Sequence, residues 1–90
     1  MARRLLVVED RFLIKGRGLV PVPGISLGDE RTRVGDPIEL RRPDGTTLVW
    51  QIGGIEWMHG AAPDKNATCI LLKDLGKDEV PIGTEIWLTH

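Results

Sequence analysis

Ninety residues are enough for one domain and place the chain near the small end for independent folding, so each core position carries weight. A net charge of −1, with hydrophobic residues at 41% and charged residues at 28%, is ordinary for a soluble globular domain and excludes a global field drawing it to nucleic acid or anionic lipid. The single cysteine excludes an internal disulfide and fits a reducing compartment, and no apolar run approaches the roughly 20 residues that cross a bilayer.

The first predicted element is a strand over Leu5 to Ile14, with Leu6, Val8, Phe12 and Ile14 sharing one parity. Its basic, then apolar start mimics a signal peptide, but Glu9, Asp10 and Arg11 cut the apolar stretch too short for one, and a cytoplasmic location is expected. Gly16-Arg17-Gly18 turns the chain. Leu19 to Ile25 is extended, and because Pro21 and Pro23 cannot donate to a ladder, it is expected at an edge or a bulge.

Ser26 to Gly35 reads as a polar loop. Pro37 to Arg42 alternates, with Ile38 and Leu40 facing inward, and Pro43-Asp44-Gly45 is a tight turn. Thr46 to Trp57 returns as the hairpin partner, interrupted by a bulge at Gly53-Gly54, and Leu48, Trp50 and Ile52 share its apolar face. After a second polar loop, Gly60 to Asn66, the near-continuous apolar run Ala67 to Leu72 suits the wall of a barrel. Gly76 to Glu79 turns the chain into a last strand, Thr84 to Leu88.

No segment holds helical periodicity beyond one or two turns. About six short strands, punctuated by Gly, Pro and Asp, predict an all-β fold: a small, closed antiparallel Greek-key barrel forming one domain over residues 1–90. Closure would hide strand edges that so small a sheet could not otherwise protect.

The run Val8 to Gly18, ending on Gly-Arg-Gly, resembles the opening of the second, β-barrel domain of elongation factor Tu and related translational GTPases. Four further blocks are similar to that domain in family order: Val34 to Leu40, Gly54-Ile55-Glu56, Asn66 to Leu75, and Lys77 to Gly83. The two prolines after Gly18 and Asp74 in place of the family's glycine depart from the pattern. The chain contains no Gly-x-x-x-x-Gly-Lys-Ser/Thr loop, so GTP binding by the family route is not expected.

The resemblance implies a non-enzymatic binding module whose partner is a protein or an RNA end. In the family this barrel helps to hold the aminoacylated 3′ adenosine of tRNA, and the residues matching those involved are Glu9, Asp10, Phe12, Glu56 and Asn66. Carboxylates and an amide can meet ribose hydroxyls and base edges beside an apolar surface. Parity offers a structural alternative: Phe12 in the core, a buried Asp10 partnered by Arg17, and Asn66 capping a loop. Gly16, Arg17 and Gly18 read as structural.

Trp87 lies opposite in parity to Ile86 and Leu88 and, with the Pro21/Pro23 edge, is the candidate surface for a protein partner or a second copy of the chain; Trp87 also fits beneath the Arg3/Arg4 arm or a long loop. Cys69 reads as an inert core thiol, and His59 and His90 have no metal-ligand spacing around them. No catalytic residue, metal or cofactor is expected.

Overall fold

The computed structural model describes residues 2–24, 33–57 and 68–89. They form an all-β, antiparallel arrangement, and no described helix is long and apolar enough to cross a membrane. In chain order the strands are β1 (Arg3–Val7), β2 (Asp10–Ile14), β3 (Gly18–Val22), β4 (Pro37–Arg41), β5 (Thr47–Gln51), β6 (Gly54–Trp57), β7 (Thr68–Leu71) and β8 (Glu85–Leu88). A short 3-10 helix, Lys77–Glu79, precedes β8, and Glu79 Oε1 accepts the Gly76 N–H at its start.

A four-stranded sheet runs β1-β8-β4-β5, and β2-β3 and β6-β7 are two-stranded ladders. Backbone bonds connect them. Val8 N–H donates to Thr84 O at 2.8 Å, and Glu9 N–H donates to Val22 O at 2.8 Å, so the chain leaves β8 for β3 as it passes from β1 to β2. Ile52 N–H donates to Asp36 O at 3.0 Å, while Gly53 N–H donates to Leu71 O at 2.8 Å, the same hand-over from β4 to β7. Leu19 and Leu72 exchange two bonds, at 2.9 and 2.8 Å, which bring β3 beside β7.

Eight strands therefore stand where about six are expected, because the two longest break at Val8-Glu9 and at Ile52-Gly53. The second break falls where an interruption is expected, at Gly53, as a change of partner strand, with Gly54 already in β6. The first inverts the faces. Leu6 and Val8 enter the main core, but beyond the bend it is Arg11 and Leu13 that lie opposite Pro21 and Leu19, and the even-numbered residues turn to the other face. Phe12 is 43% exposed rather than buried, and its neighbour Leu13 is 61% exposed, which corrects the single parity of Leu5 to Ile14.

The main core gathers Leu6, Leu19, Ile38, Leu40, Ile70, Ile86 and Leu88 from five strands, β1, β3, β4, β7 and β8, together with Val8, Ile52, Leu72 and Val80 from the residues that flank or connect them. Leu48, Trp50 and Ile55 pack against it half-buried, and Trp50 Nε1–H donates to Lys73 O at 3.0 Å, satisfying the indole. Ile38 and Leu40 face inward as their alternation requires, and β7 is buried along its whole length. Burial on two faces explains its unbroken apolar sequence.

Candidate functional site

The second face of β7 organises the site. Residues directly opposite one another in an antiparallel pair point to the same side of the sheet. Phe12 lies opposite Val20, and Gly54 opposite Leu71; the Leu19/Leu72 bridge sets Val20 beside Leu71. One row thus reads Phe12, Val20, Leu71, Gly54. The next reads Asp10, Val22, Cys69, Glu56. Val20, Cys69 and Leu71 form a second hydrophobic cluster, with Ile14 and Val22 packed on it.

Carboxylates close the second row at its two ends. At a strand spacing near 4.8 Å, Asp10 and Glu56 lie about 14 Å apart across the apolar strip. Asp10 is exposed, and its Oδ1 accepts the Arg11 N–H at 2.8 Å. It is neither buried nor partnered by Arg17, which corrects the structural reading. Arg17 instead leaves its turn to form an ion pair with Glu56, whose side chain is 17% exposed against 56% for the arginine. Screening by solvent on the arginine side holds such a pair to about 1 kcal/mol at most.

Gly16 adopts φ +80° and Gly18 φ +146°, conformations that glycine reaches without a Cβ penalty, so their structural role stands on backbone geometry. At Gly18 a Cβ would also fall 2.6 Å from Leu72 O. Arg17, Gly16, Leu71 and Lys73 line a shallow cleft of about 270 Å³ beside the strip. Glu9 is exposed at the bend between β1 and β2, one residue out of parity with Asp10. Asn66, with His59 and His90, lies outside the described residues, as does the Trp57 side chain.

The expected sites are thus partly assembled. Asp10, Phe12 and Glu56 share one face, with Glu9 at its margin. The second cluster and the Arg17–Glu56 pair were not anticipated; the unbroken apolar run in β7 was the available signal, since a strand covered on one side only would alternate.

The proposed interface is altered. Pro21 is buried in β3 and is not available to a partner, because the bend in β1-β2 turns its face inward; Pro23 is exposed. Trp87 is half-buried on the outer face of β8. The Arg41 guanidinium lies 4.2 Å from its ring centroid, and its Nε1–H donates to Glu85 Oε1 at 2.8 Å. Arg41 on β4 supplies cover to the ring, and Arg4 is the β1 residue opposite Trp87.

Chemically, the strip buries Val20, Cys69 and Leu71 and presents Phe12, two carboxylates and a guanidinium around them. Burial raises the Cys69 thiol above its ordinary value, keeping it protonated and poorly nucleophilic. Among the described residues no three His, Cys, Asp or Glu side chains come together to hold a metal ion. No family model, no curated protein and no solved structure matches the chain.

Proposed function

We propose that the chain is a non-enzymatic binding module of the translation-factor barrel type and that the Asp10–Phe12–Glu56 face receives the terminal nucleoside of an RNA. The observation carrying this is Phe12, 43% exposed beside a row that ends in carboxylates. A base can stack on the ring while Asp10 or Glu56 accepts ribose hydroxyls. Val20, Cys69 and Leu71 are buried behind this face and support it, and Lys73 and Arg17 border it with positive charge.

The same reading treats β1-β2 and β5-β6 as two bent strands, making six strands in a closed Greek-key ring. Support comes from the backbone hand-overs at Val8-Glu9 and Ile52-Gly53 and from the Leu19/Leu72 bridge. A ring of this kind would hold the four strands of the binding face in fixed register.

Titration of labelled aminoacyl-tRNA and of its deacylated form into the protein tests the reading. Binding at or below tens of micromolar (~ −6 kcal/mol), weakened about tenfold by Phe12→Ala, is expected. No binding in that range, or binding indifferent to Phe12→Ala and Glu56→Gln, defeats it. A second reading, a self-associating or protein-binding module unrelated to translation, is favoured by the exposed Val49 on β5.

A further inference from the structure

We infer that β5 is a self-association edge, through which two copies of this chain pair antiparallel about Val49. Within the β4-β5 ladder, Arg42 N–H donates to Thr46 O and Ile52 N–H donates to Asp36 O, so the even-numbered residues of β5 turn their backbone groups toward β4. Thr47, Val49 and Gln51 turn theirs away. Gly53, next in that parity, already donates to Leu71 O, while the three preceding residues have no backbone partner among the described residues.

The two outer edges of this four-stranded sheet are unlike. β1 carries Arg3 and Arg4 and a register irregularity between Arg4 and Leu6, devices that discourage pairing with another chain. β5 has none of them. From Thr46 to Ile52 the sequence Thr-Thr-Leu-Val-Trp-Gln-Ile contains no charge, proline or glycine, and Val49 is 69% exposed at its centre. A cleft of about 290 Å³ borders Val49, Trp50 and Gln51.

Self-matching of the register selects the occupant. A two-fold axis at Val49 sets the two Val49 residues opposite each other and Thr47 opposite Gln51 of the second copy, in both directions. Apolar meets apolar, polar meets polar, and no like charges face. The Thr47, Val49 and Gln51 side chains all lie on the outer face, so the main core is undisturbed. Joined this way, two four-stranded sheets become one of eight, and the inference stands independently of the RNA-binding face.

Sedimentation velocity from about 1 to 500 μM, a range that spans weak to moderate affinity, provides the test. The wild-type chain is expected to pass from monomer to dimer. Val49→Pro removes the outward N–H without breaking the β4-β5 ladder, and Val49→Lys sets two ammonium groups opposite each other. Each is expected to weaken the dimer at least about tenfold. Because Val49→Pro could disturb folding, an equimolar mixture of Val49→Lys and Val49→Glu chains provides a separate arm and should recover a heterodimer. A wild-type chain that stays monomeric throughout, dimerisation unaffected by Val49→Lys, or failure of the charge-swapped mixture to pair overturns the inference.

Discussion

Replacing Gly18 by alanine tests the joint between the β2-β3 hairpin and β7. The new Cβ would stand 2.6 Å from Leu72 O, 3.2 Å from Leu72 C and 3.2 Å from Lys73 Cα, all backbone atoms that cannot rotate aside. Gly18 must also keep φ +146°, which L residues rarely adopt. Relief requires β3 to move away from β7, at the expense of the two Leu19/Leu72 bonds. Backbone strain of about 1–3 kcal/mol, with roughly 1 kcal/mol for each of the two weakened bonds, gives a loss near 3–5 kcal/mol. For a domain of this size that lowers Tm by on the order of 12–40 °C. Gly16→Ala is the control: at φ +80° with nothing within 4 Å, it should cost only about 1–2 kcal/mol of left-handed strain. Urea unfolding followed by tryptophan fluorescence gives both values, and amide exchange at Leu19 and Leu72 locates the damage. A Gly18→Ala chain no less stable than Gly16→Ala, or with the Leu19 and Leu72 amides still protected, would refute the reasoning.

Leu40→Ala empties a fully buried position in the main core and should cost about 2–5 kcal/mol by chemical denaturation, depending on how far the site collapses. Arg41→Ala removes the cation over Trp87 and should shift tryptophan emission to the red, with a loss of about 0.5–1 kcal/mol; unchanged emission would show that the guanidinium does not shield the ring. The raised pKa of Cys69 favours the protonated thiol in the folded state, so its contribution is complete below the ordinary value of 9.0 and is lost as the pH climbs through the folded value. The wild-type chain should therefore lose stability relative to Cys69→Ala above about pH 9, and alkylation of Cys69 at pH 8 should be far slower than in urea-unfolded chain. Asp44 behaves in the opposite sense. Hydrogen bonds from the Thr46 hydroxyl and N–H hold its carboxyl below its ordinary value, so that the Pro43–Gly45 turn loses support as the pH falls through the folded value; an NMR titration of the carboxyl should show the depression, and Thr46→Ala should reduce it.

Local chemistry settled a large part of this protein before any tertiary contact is considered. Alternation in Pro37 to Arg42 orients Ile38 and Leu40, Pro43-Asp44-Gly45 ends the strand, and Gly53-Gly54 interrupts its partner; each is a short-range consequence of side-chain parity or backbone permissiveness. The faces of β2 were not legible in the same way. Beyond the bend at Val8-Glu9, which no glycine or proline marks, Phe12 and Leu13 are both exposed, so the parity that put Phe12 in the core does not hold and Phe12 lies beside Asp10 on the strip. Arg17 pairs with Glu56 rather than Asp10, a contact between residues far apart in sequence that depends on long-range strand pairing. Parity along one strand is a local property, whereas which strands become neighbours is decided by how the whole chain buries its apolar surface, and that is why the strip exists only in three dimensions.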